Sequence, residues 1–322
     1  MTDPSSPLSL EVQAVERLTP TIKSFRLLPD LGVSLPSFTA GAHLRVQVTL
    51  PDGRPDERAY SLINSTRQGA CYEIAVALDA NSRGGSAFMH ALEEGARLTV
   101  WPPKNDFPLE REAHHRVLIA GGIGITPILS MVETLVAHRA SFEFHYGARS
   151  PELMAYRERL ASLCGDAANL YFDGGDPSKG MLLEDVIGEP SEGRHLYVCG
   201  PKGLIDAVIA TAKGRNWPSD RVHFELFANP VDAASASGFE VEFVDSGMTL
   251  AVPADKSILE VMEEAGLDPM YDCRRGECGV CAVELIEGDV EHEDYCLDEE
   301  QQQESLCVCV SRARAGRLKL RA

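Results

Sequence analysis

Short alternations of apolar and polar residues dominate the first hundred positions. The runs His43 to Leu50 and Cys71 to Leu78 each put apolar side chains on one face and polar ones on the other. Pro51, Asp52 and Gly53 follow the first run as a turn. From about Leu8 to Pro108 this pattern predicts an antiparallel β-barrel or sandwich. After His115 the period changes. Strand-like runs at Arg116–Ala120, Phe142–Tyr146, Leu170–Phe172, His195–Cys199 and Val222–Leu226 alternate with helical patterns over Pro127–His138 and Pro151–Leu163. That alternation predicts a parallel sheet covered by helices. Asn229 to Gly238 is small and polar and reads as a linker. Beyond it, Phe239 to Val252 predicts a β-hairpin and Ile258 to Ala265 a helix.

These changes of pattern divide the chain into 1–110, 111–228, a linker at 229–237, and 238–322. Charge sharpens the last boundary. Of a formal net charge of -19, the segment from Gly238 onward carries 20 acidic residues against 8 basic ones. Such acidity argues against nonspecific binding of nucleic acid or an anionic membrane. It suits steering toward a basic partner surface, although acidic surfaces also serve solubility. No apolar run approaches a membrane span, and Met1 to Pro7 lacks the charged start and apolar core of a signal peptide. The expectation is a cytoplasmic protein.

Nine cysteines bring in chemistry. Cys273-x4-Cys278-x2-Cys281 carries the spacing of a plant-type [2Fe–2S] loop, with Gly276 and Gly279 where the backbone must curve tightly. The fourth ligand has two candidates, Cys307 and Cys309, whose two-residue separation places them on one face of a strand. A zinc knuckle or a redox disulfide also uses Cys-x2-Cys, but zinc sites usually pair two such spacings, and no second Cys-x2-Cys follows. Cys71, Cys164 and Cys296 read as ordinary buried or semi-buried thiols.

Three further motifs gain meaning from their places. Gly121-Gly122-Ile123-Gly124-Ile125-Thr126-Pro127 follows a strand and opens a helix, where glycines let a cofactor approach the backbone. Pro127 spoils a full G-x-G-x-x-G, so a plain strand-to-helix turn remains the competing reading. Cys199-Gly200-Pro201 ends a second parallel strand, where a ligand-facing thiol and a core thiol are both admissible. In the β-rich region, alternation puts Arg58 and Tyr60 on one face, suited to a phosphate and a ring. Gly85 and Ser86 precede the helical run Ala87–Leu92, where Ser86 reads either as a phosphate contact or as a simple N-cap.

In order, Arg58-x-Tyr60-Ser61, Gly121-Gly-x-Gly124-Ile-Thr-Pro127, Cys199-Gly-Pro201, Phe224-Glu225-x-Phe227 and the cysteine motif resemble the phthalate dioxygenase reductase family over nearly the whole chain. The resemblance implies an FMN-binding β-barrel, a NAD-binding α/β domain of ferredoxin-reductase type and a C-terminal β-grasp ferredoxin domain. It further implies that Arg58, Gly85 and Ser86 hold the flavin phosphate, that Tyr60 packs on the ring and that Ser61 lies near its N5. Thr126 would line the flavin–nicotinamide interface, Cys199 would lie close to the nicotinamide, Phe227 would cover the flavin face, and Gly122, Gly124 and Glu225 would be cofactor-binding. The same resemblance selects Cys309 beside Cys273, Cys278 and Cys281. Ser61, Thr126, Cys199 and Phe227 would act at the reacting centre, and a Rieske-type oxygenase would accept the electrons. In the segment Tyr146 to Glu152, Glu152 would suit the ribose of NADH, whereas Arg149 and Ser150 would suit the 2′-phosphate of NADPH; the family favours NADH.

Overall fold

The computed structural model describes residues 6–64, 71–79, 83–227 and 237–322. The expected linker at 229–237 lies outside these residues except for Ser237, as do the first five residues of the chain. Two compact units form, Met1–Glu225 and Leu226–Ala322.

The first unit contains two sheets. Strands β1 (Leu8–Arg17), β2 (Ile22–Pro29), β3 (His43–Thr49), β4 (Pro55–Ser61), β5 (Tyr72–Ala77) and β6 (Arg97–Val100) form a six-stranded sheet in the order β4-β3-β6-β1-β2-β5. Every pairing in it is antiparallel. A bridge between Leu62 and Ile74 brings its two edges together, so the sheet curls into a nearly closed barrel. The alternation seen in the sequence decides the inside: Leu44, Val46 and Val48 of β3 are buried while Arg45, Gln47 and Thr49 are exposed. Helix α1 (Gly85–Ala91) packs on β3 and β5. Its N-cap is Gly84, in a left-handed conformation, so Ser86 sits inside the helix and is not the N-cap.

The second sheet is parallel, with β7 (His115–Gly121), β8 (Phe142–Ala148), β9 (Ala168–Phe172), β10 (Arg194–Cys199) and β11 (Val222–Glu225) in the order β11-β10-β7-β8-β9. Strand order reverses between β7 and β10, which opens a crevice at their carboxyl ends. Helix α2 (Ile125–His138) packs on β7, β8 and β10, and starts two residues before the sequence expectation. Pro127 is therefore its third residue, still in the first turn where its missing N–H costs no helical bond. The helix expected over Pro151–Leu163 is broken. A 3-10 turn at Pro151–Leu153 is followed by an extended Met154, and Tyr156 takes φ 61 before α3 (Arg157–Cys164) begins. Burial of Met154 and Ala155 in the core overrides the local helical period. The break aims Arg159 at two acids. It binds Glu73 of β5 at 2.9 Å and Glu133 of α2 at 2.6 Å, tying the barrel to the helices. Helices α4 (Leu183–Ile187) and α5 (Lys202–Gly214) complete the unit, α5 against β10 and β11.

The second unit is a five-stranded sheet, β13-β12-β16-β14-β15, from β12 (Phe239–Phe243), β13 (Met248–Val252), β14 (Ala282–Glu291), β15 (Ser305–Cys307) and β16 (Arg312–Arg321). β12 pairs parallel to β16 and antiparallel to β13, a β-grasp arrangement with α6 (Ile258–Glu264) packed on β13. A capping box fixes the start of α6: Ser257 Oγ accepts from Glu260 N at 3.1 Å, and the Glu260 carboxylate accepts from Ser257 N at 2.9 Å. The short α7 (Gln301–Glu304) leads into β15. The cysteine loop connects α6 to β14. Among the described residues no helix is long and apolar enough to cross a membrane.

Candidate functional site

At the switch point the two strand-end turns touch. A Cβ on Gly200 would lie 3.1 Å from Gly121 Cα, and one on Gly124 would lie 2.2 Å from the Cys199 carbonyl oxygen. Glycine at 121, 124 and 200 thus lets the ends of β7 and β10 close on each other. Gly122 differs: it has φ +54 and nothing within 4 Å of a built Cβ. The expectation that these glycines serve a cofactor therefore splits, with one open position and three filled by the chain itself.

Around that crevice the structure gathers several of the expected residues. Cys199 is fully buried and pairs in register with Glu225 on β11. The Ser61 hydroxyl, from the end of β4, donates to Glu225 Oε2 at 3.5 Å. Thr126 is buried in the first turn of α2 and donates to the Ile123 carbonyl at 3.0 Å. Tyr60, next to Ser61, has its phenol pushed up to about 12 by burial. Barrel and parallel sheet thus contribute to one locus within the first unit. Phe227 lies two residues beyond β11, in the second unit, and is 39% exposed.

Arg58, Gly85 and Ser86 form a second grouping. A Cβ on Gly85 would meet Arg58 Nε at 2.8 Å, so the guanidinium stem lies across the start of α1. Arg58 pairs with Asp56 at 2.6 Å and donates to the Glu57 carbonyl at 2.7 Å. The Ser86 hydroxyl accepts from the Asp79 backbone N–H at 3.2 Å. A cation, a helix start and a hydroxyl at one place fit a phosphate. At the end of β8, Ser150 donates to Glu152 and holds that exposed carboxyl below its ordinary range. The Ser150 hydroxyl is thereby engaged by a carboxylate, which suits a ribose hydroxyl and repels a 2′-phosphate.

In the second unit the thiols pair. Cys273 and Cys278 share a side-chain hydrogen bond, and Cys281 shares one with Cys307 and another with Cys309. A [2Fe–2S] cluster takes four thiolates, and Cys273, Cys278 and Cys281 together with Cys309 or Cys307 would supply them. Backbone N–H groups also face the sulfurs: Arg275 N donates to Cys273 Sγ at 3.4 Å, and Gly276 N donates to Cys309. Cys281 is held far below the usual thiol range, at about 3, by S–H donation from Cys307 and then from Cys309, whose own thiols are pushed up. The expectation that Cys307 and Cys309 share a strand face is corrected here. β15 ends at Cys307, and residues 308–310 form a turn closed by Val310 N donating to the Cys307 carbonyl at 3.2 Å. The turn sends Cys309 toward Cys281 and Cys273, while Cys307 lies 3.5 Å from Cys296.

A clamp escaped the sequence reading. Glu277 accepts from Leu226 N at 2.5 Å and Arg275 donates to the Leu226 carbonyl at 2.8 Å. These two loop residues, themselves paired at 3.2 Å, hold the peptide groups leading into Phe227. Their only signal in the sequence is opposite charge across Gly276.

Residues 118–209 match the oxidoreductase NAD-binding domain family, and residues 242–314 match the 2Fe-2S iron-sulfur cluster binding domain family. Among curated proteins, the phthalate 4,5-dioxygenase oxygenase reductase subunit of Pseudomonas putida is 42% identical over 95% of this chain and 94% of its own length. The heme-dependent oxidative N-demethylase beta subunit of Ectopseudomonas mendocina is 39% identical over 96% of each chain. A solved phthalate dioxygenase reductase, described as a modular structure for electron transfer from pyridine nucleotides to [2Fe–2S], matches with TM-score 0.77 and 37% identity over 98% of both chains.

Proposed function

The chain belongs to the phthalate dioxygenase reductase family, and from that premise we propose that it is the reductase component of a two-component oxygenase of the Rieske type. It is an NADH-dependent oxidoreductase whose cofactors are FMN, a [2Fe–2S] cluster and NADH. Bound together, these groups turn a two-electron donor into a supply of single electrons.

The protein's part is positioning. Arg58, Gly85 and Ser86 hold the flavin phosphate, and Tyr60 supports the ring. Ser61 and Glu225, joined by their hydrogen bond, present polar atoms beside Cys199 and Thr126 at the crevice. Gly122 leaves the nicotinamide side open, Gly124 lets the crevice wall close, and Phe227 shields the flavin. Cys273 with Cys278, and Cys281 with Cys309, hold the two irons. Residues 1–110 serve the flavin, 111–228 the nucleotide and 238–322 the cluster, in the cytoplasm.

A relative of near-equal length named as an oxygenase reductase subunit carries the reading of partner class. The acidic balance of residues 238–322 supports delivery to a basic partner surface. A haem-dependent acceptor is the second reading, favoured by the N-demethylase beta subunit at 39% identity. Stopped-flow mixing of the NADH-reduced protein with a Rieske-type oxygenase, and separately with a haem oxygenase component, tests the choice. Faster cluster reoxidation by the Rieske protein is expected; preference for the haem component would overturn the proposal.

A further inference from the structure

Beside the cluster ligands lies a second group of reactive side chains that electron transfer does not use. Cys296 Sγ is 3.5 Å from Cys307 Sγ and 3.8 Å from Asp294 Oδ2. The Asp294 side chain is fully buried, with Leu297 N donating to Oδ2 at 3.0 Å, Ser311 Oγ donating to Oδ1 at 3.5 Å and His292 Nδ1 3.6 Å from Oδ1. Cys296 is half-buried and Cys307 is fully buried. A thiol within reach of solvent therefore faces a fixed carboxylate on one side and a sheltered second thiol on the other. We propose that Cys296 and Cys307 form a peroxide-responsive thiol pair, with Cys296 as the attacked thiol and Cys307 as the resolving one.

The chemistry balances with hydrogen peroxide as oxidant, a product that reduced flavins make with dioxygen. Cys296 attacks one peroxide oxygen as Asp294 accepts the thiol proton and passes it to the departing hydroxide; a sulfenic acid forms and one water leaves. Cys307 then attacks the Cys296 sulfur, expelling the hydroxyl as a second water and leaving a disulfide. Two thiols lose two electrons and two protons, and one peroxide becomes two waters. The sulfurs must close by about 1.5 Å to reach bonding distance. Two contacts couple this step to the cluster. Cys307 lies against the ligand thiol Cys281, and Cys296 Sγ sits 3.6 Å from where a Cβ on Gly279 would stand. Drawing the pair together loosens both supports of the loop carrying Cys278 and Cys281.

The test is a non-reducing peptide map of the cluster-loaded protein after limited hydrogen peroxide, with free thiols alkylated before digestion. A Cys296–Cys307 linked peptide is expected, lost on reduction and absent in Cys296→Ser. In Cys307→Ser, Cys296 should stop at a sulfenic acid that dimedone traps. Release of iron to a chelator should rise with peroxide in the wild type and not in Cys296→Ser. Linkage confined to Cys273, Cys278, Cys281 or Cys309, or a peroxide-treated Cys296 that alkylates as before, would overturn the proposal. None of these readouts depends on which oxygenase accepts the electrons.

Discussion

Gly122 and Gly124 stand two residues apart, yet alanine at each position should fail in a different way. At Gly124 the backbone is helical, φ -61, so alanine adds no conformational strain. Its Cβ would lie 2.2 Å from the Cys199 oxygen, 2.3 Å from its carbonyl carbon and 2.5 Å from Gly200 N. Carbon contacts are comfortable at about 3.5 Å or more, so the overlap exceeds about 1 Å. The obstructing atoms are backbone at the end of a paired strand and cannot rotate away. Overpacking typically costs about 1–3 kcal/mol, and a clash with backbone belongs at or above the top of that range. At Gly122 the space is open and the cost is conformational: φ +54 costs an L-residue about 1–2 kcal/mol, partly offset by about 0.4–1 kcal/mol from a stiffer unfolded chain.

Gly124→Ala should therefore destabilise the first unit by about 3 kcal/mol and Gly122→Ala by about 1 kcal/mol. Both tryptophans, Trp101 and Trp217, lie in that unit, so urea unfolding followed by tryptophan fluorescence reads it selectively. NADH affinity should discriminate further. Gly122→Ala puts a methyl where the crevice is open and should weaken NADH about tenfold, equivalent to about 1.4 kcal/mol. Equal stability losses at the two sites, or a Gly124→Ala protein as stable as wild type, would refute the packing argument. Undiminished NADH binding by Gly122→Ala would refute the role of the open position.

Cys309→Ser should abolish the visible and EPR signals of the cluster, whereas Cys307→Ser should retain them; the reverse pattern would transfer the fourth ligand to Cys307. Acid should weaken the first unit through His223. Burial first, and then the neighbouring His195, lower its pKa from 6.5 to about 4, so the unfolded state binds the extra proton between those values. The contribution is complete above about pH 6.5, falls as pH drops toward 4 and levels off below. On the order of 2 kcal/mol should be lost for this half-buried ring, measured by tryptophan-detected urea unfolding at stepped pH. His223→Gln should flatten the profile, and an unchanged slope would locate the titration elsewhere.

The parts of this protein legible in its sequence are those where one local rule decides the outcome. Alternation marked β3 because each of its side chains faces either core or solvent. Apolar strands alternating with helices marked the parallel sheet, and cysteine spacing marked the iron-sulfur domain because three of its thiols fall in one stretch of backbone. Expectations failed where distant contacts override local period. The helix predicted over Pro151–Leu163 broke because Met154 and Ala155 are drawn into the core and Arg159 is held between Glu73 and Glu133. Ser86 looked like an N-cap because the hydroxyl of such a residue commonly caps a helix, but Gly84, with φ 111, takes that position.

The pair Cys307 and Cys309 shows the limit most clearly. A two-residue separation means one face only while the chain remains a strand, and the strand stops between them. Nothing in Leu306-Cys307-Val308-Cys309-Val310 announces a turn: the segment is apolar and lacks both glycine and proline. The turn is imposed from outside the segment. Val308 N still donates to the Cys281 carbonyl at 3.2 Å, in register with the β14–β15 pairing, but the Val308 carbonyl accepts from Leu259 N of α6 at 2.9 Å and so returns no bond to β14. Where the strand ends the two thiols diverge, Cys309 toward Cys281 and Cys273 and Cys307 between Cys281 and Cys296. One piece of backbone thereby gives two thiols, two residues apart, different second neighbours: Cys273 for Cys309 and Cys296 for Cys307.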